Sequence, residues 1–240
     1  MLDGNIVVVD PNQPVLLSAY RNGAVMASVG LLYVGAVLFI NGLMLIGVIP
    51  GKSAAILNFF VGGMQVVFPT IIIAQSGGDP SIIFGAAGLY LFGFTYLYVG
   101  ILQWTGISGE GLGWFSLFVA ISATVIGLAQ FGLVNDPVFG VIWLLWAVLW
   151  LMFFLVLGLG KVRATKATGW FTIFLSFLTG TVPALLLLLG YFESTVLAAA
   201  VVAVVGIVSL GIAWALGRRP DHAATSPTTT HIAQSAHPAV

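Results

Sequence analysis

Seven long apolar runs divide the chain, at about 25–47, 54–75, 82–103, 113–133, 138–158, 169–190 and 195–216. Each is close to the roughly 20 residues that an α-helix needs to cross a ~30 Å hydrocarbon core. Lipid offers the backbone no hydrogen bonds, so a spanning segment must pair its own N–H and C=O groups, as a helix does. The runs predict an all-α integral membrane fold of seven transmembrane helices. Loop chemistry fills the gaps: Pro50-Gly51, Gly77-Gly78-Asp79-Pro80, Gly106 to Gly113, Asn135-Asp136-Pro137 and Gly158 to Gly169. Only 6% of the 240 residues are charged, against roughly 25% in a soluble domain.

The sequence divides further by composition. Residues 1–24 read as an extracytoplasmic lead of the mature protein, without the basic start and long apolar core of a cleavable signal peptide. Residues 217–240 are rich in Pro, Thr, Ser, Ala and His and read as a disordered cytoplasmic tail. Lys52, Lys161, Arg163, Lys166, Arg218 and Arg219 all fall on the side of the odd-numbered loops and the C-terminus, with only Arg21 opposite. The positive-inside rule puts that side in the cytoplasm, the N-terminus outside and the C-terminus inside.

Several functions are disfavoured by what the spans lack. None holds Asp, Glu, Lys, Arg or His, and His222, His231 and His237 are all in the tail. Ion-coupled transporters usually keep intramembrane charges, although backbone carbonyls can hold Na⁺ at broken helices. The last span has no lysine for a retinal Schiff base. No nucleophile–base pair, metal cluster or phosphate loop is present, so neither enzyme chemistry nor a cofactor is expected. Net charge is +0 and cysteine is absent, which leaves no case for nucleic acid and none for disulfides or thiol chemistry.

Val141 to Phe154 reads VIWLLWAVLWLMFF, with Trp143, Trp146 and Trp150 spaced i, i+3, i+7. That spacing puts the three rings on one helix face. Trp usually sits at membrane rims, but Trp146 and Trp150 fall near the middle of this run. An indole N–H buried there costs about 1–3 kcal/mol if unpaired, so a polar group is expected against that face. The rings can also serve simply to pack helix on helix.

The remaining polar groups in the spans are uncharged. They include Asn41, Asn58, Gln65, Thr95, Tyr96, Ser116, Ser176, Thr179 and Thr181. Singly, each is accounted for as an interhelical tie. Together with the rings they suit a narrow passage for a small, planar, neutral solute that forms hydrogen bonds.

Five segments resemble the urea/amide channel family, which comprises acid-activated urea channels and amidase-linked amide transporters. They are LLYVG at 31–35 with Asn41-Gly42, NFFVGG at 58–63, LFGFTYLY at 91–98, WFSLFVAI at 114–121 and IWLLWAVLW at 142–150. The resemblance runs in order through roughly residues 25–190. It implies a homo-hexamer whose protomers each carry a pore through six helices, built as two inverted three-helix repeats. Residues 191–216 would then be an added, peripheral seventh helix, packing through Ala198 to Ala200, Ala203 and Gly206. The resemblance places Leu31, Val34, Leu38, Phe92, Tyr96, Trp143, Trp146, Leu149 and Trp150 along the pore. The spacings 31/34/38, 92/96 and 143/146/150 are each compatible with one helix face.

The chain departs from the acid-gated members. Their outer loops are rich in histidine and carboxylate, whereas 76–81 holds Asp79 alone and no histidine. They carry a glutamate in the sixth span, where this chain has Leu175 or its neighbour Ser176. These departures point to the amide-transporter branch and to a passive inner-membrane pore for urea or short amides such as acetamide, without a proton gate. A urea channel proper, a Na⁺-coupled transporter and a non-transporting assembly or sensory subunit remain alternatives. A closed, dry bundle would favour the last.

Overall fold

The computed structural model describes residues 14–219, and only the backbone of 14–21. Expectations for residues 1–13 and for the tail from 220 to 240 fall outside the described residues. The helices are α1 (Pro14–Leu45), α2 (Gly51–Gln75), α3 (Pro80–Thr105), α4 (Glu110–Ala129), α5 (Pro137–Phe153), α6 (Thr165–Leu175), α7 (Val182–Leu189) and α8 (Val196–Gly217). There is no strand among the described residues. Among the described residues, seven segments are long and apolar enough to cross a membrane, because α6 and α7 are two halves of one span, Val162–Leu189. The expected all-helical, seven-span fold is therefore the observed one.

The helix boundaries have local causes. Asp79 caps α3 by accepting from the N–H groups of Ser81 and Ile82, and Asp136 caps α5 by accepting from Phe139. In both, a proline follows at the first helical position, where a missing N–H costs nothing. Thr195 caps α8 by accepting from the Ala198 N–H, without a following proline. Gly106 and Gly190 end α3 and α7 at φ of 75° and 76°, which a side chain would disfavour. The one difference at the start is α1. It begins at Pro14 rather than near 25, ahead of the apolar stretch that opens at Asn22. A helix can run beyond the hydrocarbon boundary because its backbone stays paired there too.

Three π turns interrupt the spans: Gln130–Val134 after α4, Phe154–Gly158 after α5, and Ser176–Thr181 between α6 and α7. The third has a plain origin. Pro183 has no N–H for the Thr179 carbonyl and its ring crowds that turn. The chain widens, and the Val182 N–H donates to the Phe177 carbonyl five residues back.

The first six spans form a closed ring in chain order, each against its sequence neighbours, with the sixth returning to α1. Close approaches tighten the ring. A Cβ on Gly180 would lie 2.7 Å from the Gly35 Cα, and one on Gly113 would collide with the Gly158 backbone. Outside the ring, α8 packs on α5 and α6. Its contact stripe is Ala199, Gly206, Ser209 and Ala213, whereas Ala200 is exposed and Ala203 only half-buried. The expected run Ala198 to Ala200 cannot all face inward, since successive residues turn by about 100° around the axis.

Candidate functional site

All nine expected pore residues belong to one core inside the ring. Leu31, Val34 and Leu38 come from α1, Phe92 and Tyr96 from α3, and Trp143, Trp146, Leu149 and Trp150 from α5. None is more than 8% exposed. Phe92 is the hub. Its ring lies 4.7 Å from that of Trp146 and 5.0 Å from that of Trp150, edge to face in both cases. Trp143 and Trp146 meet edge to face at 5.0 Å. Such T-shaped pairs match positive ring edges to negative faces and hold rings at defined angles. The axis is packed at this level.

The polar groups expected against the indoles are hydroxyls. Trp146 Nε1 donates to Thr179 Oγ1 at 2.9 Å, and Trp150 Nε1 donates to Thr95 Oγ1 at 3.4 Å. Each hydroxyl in turn donates to a carbonyl one turn back, Thr179 to Leu175 and Thr95 to Leu91. Thr179 lies within the π turn before Pro183, so the break in the sixth span sets where Trp146 is held. Thr179→Val keeps the shape but strands the indole N–H, at about 1–3 kcal/mol. It is expected to lower the melting temperature of the purified protein more than Thr95→Val, whose hydrogen bond is longer and weaker. Equal melting temperatures for the two variants would contradict this ranking.

Below the rings, toward the end bearing the 46–50 and 106–109 loops, lies a cavity of about 30 Å³. Leu38, Asn41, Thr95, Tyr96, Ser116 and Trp150 are on its wall. A space of that size holds roughly one or two waters. Asn41 and Asn58 exchange reciprocal amide hydrogen bonds of 3.0 and 2.7 Å, and Asn58 also donates to the Ala54 carbonyl. The Tyr96 hydroxyl is buried and has no hydrogen-bond partner. No cluster of metal-ligating side chains occurs among the described residues.

Comparison with known proteins places this ring. The profile of the AmiS/UreI family transporter matches residues 26–191, the whole six-span unit. The chain belongs to the AmiS/UreI transporter family. It is 58% identical over 188 residues to the putative transporter protein AmiS2 of Rhodococcus erythropolis, covering 78% of this chain and 91% of that one. It is 53% identical over 212 residues to a putative amidate substrates transporter protein of Mycolicibacterium smegmatis, covering 85% of this chain and 100% of the other. The cryo-EM structure of the Helicobacter pylori urea channel in a closed state superposes with a TM-score of 0.63 at 34% identity, over 70% of this chain and 100% of that one. The protein is thus a multi-pass membrane protein of a family whose named relatives are transporters and channels.

In this AmiS/UreI member, Leu38, Tyr96 and Trp150 line the cavity, while Leu31, Val34, Phe92, Trp143, Trp146 and Leu149 belong to the packed core. The sequence marks Asn41, Thr95, Ser116 and Thr179 as intramembrane polar groups suited collectively to a passage, but singles out none of them as pore-lining. No spacing rule links Thr179 to Trp146 or Thr95 to Trp150, since each pair lies on different spans. Pro183 was the available signal, because a proline inside a span marks where helical geometry, and the groups it freed, must change.

Proposed function

We propose that the protein is a passive pore for urea-like or short aliphatic amides, running through the ring of each protomer. The unpartnered Tyr96 hydroxyl, on the cavity wall with Asn41 and Trp150, carries this reading. A buried hydroxyl without a partner costs about 1–3 kcal/mol, and the carbonyl or amide of a passing solute removes that cost. Flat rings hold a planar solute by its faces, and the absence of charge leaves hydrated ions without compensation. Leu31, Val34, Leu38 and Leu149 set the width, and Phe92, Trp143, Trp146 and Trp150 form the slot. Conduction needs the rings to part by rotation about their side-chain bonds.

The packed axis is the observation that favours a non-transporting assembly subunit. The transporter and channel names of the relatives weigh against it. In our reading the protein lies in a bacterial inner membrane with its basic end cytoplasmic. Six copies assemble through apolar outer faces such as that of α4, where Trp114, Phe118 and Ile121 are exposed.

The test is stopped-flow light scattering on proteoliposomes with acetamide, urea and glycerol. Fast, non-saturating, sodium-independent amide entry is expected. No acceleration by folded, inserted protein would leave the assembly subunit as the better account.

Flux should also stay nearly flat between about pH 5 and 7.5, where histidines normally titrate. Asp79, the only acid in the 76–79 loop, has its carboxyl held below the usual range by the Ser81 hydroxyl and by the N–H groups of Ser81 and Ile82. A depressed carboxyl stabilises the fold above its unfolded pKa, near 3.9. That contribution is lost only as pH falls through the lower, folded value, which is below the flux window. Steep acid activation would refute the ungated pore.

A further inference from the structure

A second, larger cavity, of about 470 Å³, opens at the basic end of the molecule, outside the ring. Its wall combines the segment after α5, the start of α6 and the end of α8. Lys161, Arg163 and Arg218 line it together with Trp214, Ala167 and Leu155. The Arg218 guanidinium sits 5.4 Å from the centre of the Trp214 ring. The three cations are solvent-exposed, and no carboxylate among the described residues pairs with them. Asp79, Asp136 and Glu193 all stand at the opposite end of the spans, and Glu110, at the start of α4, is the one described carboxylate at this end and is not on the cavity wall.

Two features make this a shaped site and not only a charged rim. A Cβ on Gly217 would come within 2.6 Å of the Ala167 backbone nitrogen, so α8 is seated directly on the first turn of α6. Leu155 and Ala167 add apolar wall beneath the cations, next to a Trp that ends a membrane span. Three positive groups above an apolar wall at a membrane boundary match a lipid phosphate with its glycerol and first methylenes.

We propose that this cavity binds the headgroup of an anionic phospholipid from the leaflet at the basic end, with Arg163 and Arg218 on the phosphate. α8 lies beyond the residues that match the family, so the seventh helix supplies one wall of a site that the six-span ring does not make alone. The inference is independent of which solute crosses the ring.

Native mass spectrometry of delipidated full-length protein tests it, by titration with phosphatidylglycerol, with phosphatidylcholine of the same acyl chains, and with inorganic phosphate. Phosphatidylglycerol should bind at least about tenfold more tightly than phosphatidylcholine. Arg163→Gln with Arg218→Gln should remove that preference. Arg163→Lys with Arg218→Lys should retain most of it, and Lys52→Gln, at the same end but outside the cavity, should leave it intact. Equal binding of the two lipids would overturn the proposal, as would a preference that survives the double glutamine variant. Displacement by inorganic phosphate at the lipid's own concentration would assign a soluble anion instead and overturn it equally.

Discussion

Trp150→Ala should conduct amides larger than acetamide at rates close to those of acetamide itself, whereas the natural protein is expected to separate them. Trp150 stands between the packed rings and the small cavity. It meets Phe92 at 5.0 Å on one side and lines the cavity with Tyr96 and Asn41 on the other. Removing the indole extends the cavity up to the packed rings. An apolar slot that discriminates by fit separates solutes differing by one methylene by about tenfold or more, and most of that should disappear. The variant leaves no new orphan donor, because the Thr95 hydroxyl still donates to the Leu91 carbonyl at 2.7 Å. The stability cost of about 3–5 kcal/mol for a large-to-small core change makes it necessary to compare equal amounts of folded protein. Trp150→Phe, which keeps a ring, should behave in between. An unchanged ranking of acetamide, propionamide and butyramide in Trp150→Ala would refute the slot.

The second large effect is on the fold. Gly35→Val is expected to lower stability by about 1–3 kcal/mol or more through overpacking, roughly 3–10 °C in melting temperature for a chain of this size. A Cβ at Gly35 would lie 2.8 Å from the Thr181 nitrogen and 2.9 Å from the Ser176 carbonyl oxygen, and would also strike the Thr181 hydroxyl. Two of these are backbone atoms, which cannot turn aside as a side-chain end can. The π turn would have to move and carry Thr179 with it, so Trp146 would lose its acceptor and amide flux should fall as well. Gly85→Ala is the matched control, since nothing lies within 4 Å of a Cβ there and alanine favours a helix. Equal melting temperatures for the two variants would show that α1 does not depend on this close approach.

Much of this was legible from the residues alone, for identifiable reasons. Lipid forces the backbone to pair within each span, so apolar length and loop chemistry determine helix number directly, and the seven segments agree. Helical periodicity likewise put Trp143, Trp146 and Trp150 on one face. The need for a polar partner followed from the cost of an unpaired indole N–H in a dry interior. Coupled transport and catalysis were disfavoured because charge, histidine and cysteine are absent from the spans, whereas the expected urea/amide solute rested on the family resemblance.

The tertiary structure decided what depends on groups far apart in sequence meeting in space. Which hydroxyl serves which indole, the exchange between Asn41 and Asn58, and the closure of six spans into a ring are of this kind. The Tyr96 hydroxyl shows the difference most clearly. Its presence in a span was plain from the sequence, but its lack of a partner depends on every neighbouring helix. The same holds for the basic cavity, whose cations come from the segment before α6 and from the residue after α8, with α6, α7 and α8 between them in the chain, and share one wall because Gly217 lets α8 reach α6. Periodicity fixes which way a side chain faces, while close packing fixes what it finds there.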